Sequence, residues 1–237
     1  MTKINHINDN SPPVIDHWAM LRALVVLILI NSFSIGFFYG VYMAYMEKPS
    51  LGGIFLFLVT PLLLLILLWL QDRQRRRLGL SWATIGFQTP RRSLLHLLWQ
   101  VPVALTLLAL VYKLCGKLGN LSLMPPFKPL APWWIYPFCI VLLVPIAEEI
   151  AFRGLFFIYL RRYFGRGGVL GISSLVFALV HWYSGLPLLP YYLLMGLIFG
   201  YVRLQHRNLW ASVILHALLN LTVIIATLAN VLYLPKY

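Results

Sequence analysis

The sequence predicts an all-α, polytopic membrane helix bundle of about seven transmembrane helices with a cytoplasmic N-terminus. Three observations predict it. The 237-residue chain is 61% hydrophobic and 11% charged, with a mean hydropathy of +0.83, far from the balance of a soluble domain. Its apolar residues gather into seven stretches long enough to be considered as spans. Its basic residues alternate from loop to loop as the positive-inside rule requires.

Taken in order, residues 1–18 form a polar tail with Asn5, Asn8, Asp9, Asn10, Ser11, Pro12 and Pro13, read as flexible. The apolar run after it is too long for a signal h-region and lacks a small-x-small exit, so it reads as a retained span. Spans are expected near residues 19–46, 51–70, 94–118, 133–160, 169–183, 186–204 and 209–234 of a single membrane domain, 19–237. The fifth is short and is expected to start at Gly167 or to borrow residues from the loop after it. Between Gly79 and Pro90, Trp82 and Phe87 mark a short helix lying at headgroup level. Gly36-x-x-x-Gly40 and Gly196-x-x-x-Gly200 read as packing glycines. Cys115 and Cys139, in separate spans without metal-type spacing, read as small packing residues.

The net charge of +13 reports topology. Arg73, Arg75, Arg76, Arg77, Arg91 and Arg92 crowd the second loop. Arg161, Arg162 and Arg166 follow span four, and Arg203 and Arg207 follow span six. Between these loops lie only Lys48, then Lys117 and Lys128, then no charge from Ser184 to Pro190. The basic loops therefore face the cytoplasm and anionic lipid headgroups, with the C-terminus outside. Nucleic acid is not the expected partner.

Against this apolar background a small polar set stands out. Only six residues of the chain are acidic, and Glu148 and Glu149 are adjacent within span four. A carboxylate at bilayer depth costs about 2.5–3.5 kcal/mol on insertion scales, so it persists where a partner or a function holds it. Arg153 lies one turn from Glu149 on the same face, while Glu148 projects about 100° away. Span five carries His181, four residues after Phe177; span seven carries His216 and Asn220, also four apart. At helical rise Glu149 lies roughly 18 Å from Arg161, His181 roughly 20 Å from Gly168 and His216 roughly 12 Å from Asn208. Three helices thus bring polar groups to similar depth in the cytoplasmic half.

One glutamate and Arg153 would satisfy a structural ion pair; the second glutamate is surplus to it. A carboxylate poised to exchange a proton, beside a neutral imidazole, can deprotonate water for attack on a carbonyl. A second histidine and an asparagine amide can donate to the developing oxyanion, worth about 3–4 kcal/mol per good donor. Glu148, His181 and His216 are also a zinc-like ligand set, so a divalent metal stays open, although there is no His-Glu-x-x-His. Phe177 reads as packing that shapes the site. His96 and His206 read as solvated, Gln100 as a packing polar group, Lys113 as a snorkelling anchor, and Trp133 and Trp134 as interfacial.

Glu148-Glu149-x-x-x-Arg153-Gly154, Phe177-x-x-x-His181 and His216-x-x-x-Asn220, in that order and at matching depth, resemble the three motifs of the CPBP (Abi) family. That family comprises intramembrane proteases, including type II CAAX prenyl endopeptidases, and bacterial proteins linked to peptide processing or bacteriocin immunity. The motifs span Pro145 to Asn220, within an expected catalytic region of about 134–225, and no motif position departs from the pattern. The resemblance implies an intramembrane endopeptidase acting on a membrane-associated or lipidated substrate. It implies that Glu148 and His181 activate water, that His216 and Asn220 form the oxyanion site, and that Glu149 with Arg153 supports the geometry. A non-catalytic immunity or scaffold protein of the same fold is an alternative. So is a proton-coupled transporter, although no internal repeat or pair of broken helices points to one. The small size of the chain suggests a bacterial plasma membrane, with the site opening towards the cytoplasmic half.

Overall fold

A computed structural model describes residues 51–117 and 135–233, with scattered helical positions between 18 and 40. The expected polar tail and most of the first span lie outside the described residues. The regular structure among those described is all helical, without a strand. We number the helices α1 (Leu51–Arg77), α2 (Trp82–Ile85), α3 (Leu97–Gly116), α4 (residues 135–160), α5 (Arg166–Val180), α6 (Leu189–His206) and α7 (Leu209–Tyr233).

Among the described residues, three stretches are long and apolar enough to cross a membrane: Leu94–Gly116, Leu186–His206 and Leu209–Ala226. The α3 helix shows why. It buries Leu97, Ala104, Leu108 and Cys115 against the bundle while exposing Leu98, Val103, Leu107, Leu110 and Leu114. A helix apolar on both faces is shed by water and accepted by lipid.

Helix ends follow local chemistry. Gly79, at φ +64°, closes α1: its amide and that of Leu80 donate to Arg76 and Arg75 carbonyls at 3.0 Å, a left-handed glycine stop. Ser81 caps α2 by accepting from the Thr84 amide at 3.0 Å, so the expected short helix after Gly79 is present. Arg207, at φ +50°, ends α6, and Asn208 Oδ1 accepts from the Ala211 amide to start α7. Cys115 and Cys139 are both free and buried.

The α5 and α6 helices pack together most extensively, with small residues at the contact. A Cβ at Gly196 would lie 2.9 Å from Ser174 Cα, and one at Gly200 would lie 2.5 Å from Leu170 Cδ1. The second glycine pair is therefore a close-approach motif. A Cβ at Gly36 or Gly40 would meet nothing within 4 Å.

The α4 helix is irregular: Cys139–Leu143 and Ile150–Phe156 are π-helical, flanking the short α-helical stretch Val144–Glu149. Pro145 explains part of this. The Val144 amide donates five residues back, to the Cys139 carbonyl. The same register would send the amide of residue 145 to Ile140, but proline has none. The orphaned Ile140 carbonyl instead accepts from Asn220 Nδ2 at 2.9 Å. On the other side, Gln71 of α1, fully buried, donates to the Ala147 carbonyl at 2.9 Å.

Three sequence expectations need correction. The fifth helix runs Arg166–Val180, so His181 caps its C-terminal end and does not project from its interior; a 3₁₀ turn, Trp182–Ser184, follows before Gly185 at φ +103°. His206 is not solvated: it is fully buried between the Gln100 side chain (3.1 Å) and the Arg92 carbonyl (3.2 Å). Arg203 is no loop residue. It lies within α6, only 8% exposed.

Candidate active site

The site is assembled on the middle of α4. Glu148 and Glu149 end the Val144–Glu149 stretch, and the wide π turn that follows carries Arg153. Such turns recur at functional sites because they re-aim side chains without breaking the helix. Glu148, Glu149 and Arg153 are essentially inaccessible.

Glu149 is the hub of the fixed part. Its Oε1 accepts from Arg153 Nη1 at 3.0 Å and from His216 Nδ1 at 3.2 Å. Arg153 spends a second donor, Nη2, on the Gly196 carbonyl at 3.0 Å. Its guanidinium carbon sits 4.4 Å from the centre of the Phe177 ring. A carboxylate, a carbonyl and an aromatic face compensate most of the cost of burying this guanidinium, although its Nε has no partner.

Glu148 is held differently. Its Oε1 lies 3.8 Å from His181 Nε2, and its Oε2 lies 3.8 Å from His216 Nε2. Both separations exceed a direct hydrogen bond, and Oε2 has no protein partner. His181 Nδ1–H donates to the Phe177 carbonyl at 2.7 Å, which the end of α5 leaves unused. The two histidines thus have their Nδ1 atoms engaged and turn their Nε2 atoms towards one carboxylate; this tautomer assignment follows from the hydrogen-bond partners.

The candidate residues therefore divide. Glu148, Glu149, Arg153, His181 and His216 come together from α4, α7 and the end of α5. Asn220 is one turn along α7 and directs Nδ2 to Ile140, so one of its two amide hydrogens is committed to the backbone. Phe177 is fully buried, edge-on to Phe152 and Phe199.

Four contributors were missed from sequence. Tyr192 stacks on His181 at 4.3 Å and Phe199 on His216 at 4.4 Å; Gly196 anchors Arg153, and Gln71 braces Ala147. Tyr192, Gly196 and Phe199 fall at i, i+4 and i+7, one stripe of α6. That stripe was a usable signal. Gln71 gave none.

Two imidazole nitrogens and a carboxylate make a zinc-like donor set in kind, and zinc needs its ligand atoms about 2.0–2.2 Å away. Among the described residues no three His, Cys, Asp or Glu side chains are gathered to hold a metal ion.

Residues 130–222 match the family model of the Rce1-like type II CAAX prenyl endopeptidases. The Rce1-like region contains all seven candidate residues, from Glu148 to Asn220, and the CPBP resemblance carried by the three motifs is thereby shown. With the apolar helices, it makes the chain an integral membrane protein with a CAAX protease-type region. No curated protein and no solved structure matches the chain.

Proposed function

We propose that the chain is an intramembrane endopeptidase that hydrolyses a peptide bond of a membrane-associated, lipidated substrate with water activated by Glu148 and His181. One observation carries the reading: the Glu148 carboxylate lies 3.8 Å from Nε2 of both His181 and His216. A water fits between polar groups at that separation. Such a water, donating to Glu148 and to His181 Nε2, keeps a lone pair for attack on a carbonyl carbon. Glu148 takes its proton as the tetrahedral adduct forms and returns it to the leaving amine.

The oxyanion falls to His216 and Asn220. With Nδ1 donating to Glu149, His216 donates through Nε2 only as the imidazolium. Glu149 and Arg153 cancel, so the cluster is neutral, the least costly sum for a buried set, when Glu148 and His216 share one proton between them. His216 donates to the oxyanion when it holds that proton. The second amide hydrogen of Asn220 supplies the other donor, oriented by the bond to Ile140. Glu149 and Arg153 act by positioning.

Seven spans, a cytoplasmic N-terminus, a site opening to the cytoplasmic half and contact of the basic loops with anionic lipid complete the proposal. The experiment is cleavage by the full-length protein in lipid nanodiscs. A farnesylated CAAX peptide, its unprenylated twin and a membrane-spanning peptide are offered in turn. Glu148→Gln and His181→Ala should each lower cleavage about 10²–10⁴-fold, and a chelator should leave it unchanged. Cleavage of none of the three by the unmodified protein would leave the scaffold reading in its place.

A further inference from the structure

The end of the bundle that carries the basic connections holds a cavity of about 590 Å³. Arg161, Arg166, Arg203 and Arg207 line it, and no acidic side chain does. Among the described acids, Asp72 is already paired with Arg75 and Arg76, and Glu149, whose charge reaches Arg203, is already paired with Arg153. Like charges without a counter-ion repel. Burial and the charges of Arg166 and Arg207 push the Arg161 guanidinium down from its ordinary value.

Arg203 is the least expected member. It is only 8% exposed; its Nη2 donates to the Ile85 carbonyl at 3.3 Å, and its buried Nε has no partner. The backbone is shaped to admit it: Gly86 adopts φ +119°, and a Cβ there would lie 2.2 Å from the guanidinium. A buried guanidinium missing part of its hydrogen bonding is costly unless an anion completes it.

The α5 helix opens on the same cavity. Its cap, Gly165, lines the cavity and offers no side chain to the first turn. A Cβ at Gly165 or Gly167 would meet nothing within 4 Å, whereas one at Gly168 would lie 3.0 Å from Phe164 Cβ, so the open space is at the start of that turn. The amides there have no intrahelical acceptor and carry the positive end of the helix dipole. Free amides beside fixed guanidinium groups are the elements of a phosphate site.

We propose that this cavity binds a phosphate-class anion, carried by a phospholipid headgroup or free in solution. The volume exceeds what a bare phosphate fills, which leaves room for a headgroup. The site is separate from Glu148 and does not rest on the peptidase reading.

The test uses the full-length protein in phosphatidylcholine nanodiscs. One arm titrates inorganic phosphate; the other adds phosphatidic acid and counts retained lipid by native mass spectrometry. Paired Arg161→Gln and Arg166→Gln, both exposed positions, should weaken binding at least about tenfold. Paired Arg73→Gln and Arg77→Gln, the same charge change elsewhere, should alter it less than about twofold. If the first pair unfolds the protein, Arg166→Gln alone carries the comparison. Saturable binding of inorganic phosphate identifies a soluble ligand, and binding of phosphatidic acid alone identifies a headgroup. No saturable binding in either arm, or equal weakening by the control pair, overturns the proposal.

Discussion

Glu148 and Glu149 are neighbours in sequence with opposite surroundings. Glu149 has two donors within 3.2 Å, while the nearest imidazoles to Glu148 stand at 3.8 Å. Removing the Glu149 charge strands Arg153 in a fully buried position, and breaking one side of such a pair costs about 3–5 kcal/mol. Glu149→Gln should therefore lower the unfolding midpoint in detergent sharply. Glu148→Gln leaves every direct hydrogen bond in place and should lose cleavage with a near-native midpoint. Comparable destabilisation by the two changes would contradict this division. The aromatic partners act at the same scale. Tyr192→Ala removes the ring stacked on His181 and should raise the mobility of that imidazole, seen as a broadened His181 ring resonance in nuclear magnetic resonance, while leaving His216 unaffected.

At the scale of the element, α4 depends on a compensation. Pro145 orphans the Ile140 carbonyl, and Asn220 reaches it from α7. Asn220→Leu leaves that carbonyl unpaired at a cost of about 1–3 kcal/mol. Pro145→Ala restores an amide able to take it, so Asn220→Leu should cost less in that background. Unfolding of the four proteins of this double-mutant cycle should give a coupling of at least about 0.5 kcal/mol; strict additivity would dissolve the account. Helices, their order and the polar set were legible in the sequence because apolar runs and four-residue spacings are local. The π turns were not, because the partner that makes a proline tolerable lies 80 positions along the chain. For the same reason the burial of His206 against Gln100, and of Arg203 against Ile85, escaped a reading that placed cations at helix ends by charge alone. His181 was legible as a residue of the candidate site but not as a cap, since the stop depends on the turn ending at Gly185.

For the whole molecule, the question is whether the basic connections share one side. Around α2 and the start of α7 they are tied together: the Arg91 amide donates to the His206 carbonyl at 2.8 Å, Gln88 Nε2 to the Arg207 carbonyl at 2.9 Å, and the Leu209 amide to the Gly86 carbonyl at 2.8 Å. Arg161 and Arg166 line a cavity with Arg207, so three basic connections meet at one end of the bundle. The uncharged turn after α5 meets the other end of α3, where Tyr191 lies edge-on to Tyr112. An asymmetry of this kind sets orientation, because short basic loops stay on the cytoplasmic side. Arg162→Cys and Leu186→Cys test it directly, since both positions are exposed and the native Cys115 and Cys139 are buried. A membrane-impermeant maleimide applied to intact cells should label Leu186→Cys at once and Arg162→Cys only after the membrane is opened. Labelling of both before permeabilisation would mean that the two ends do not face opposite compartments, and the reversed order would turn the whole bundle over.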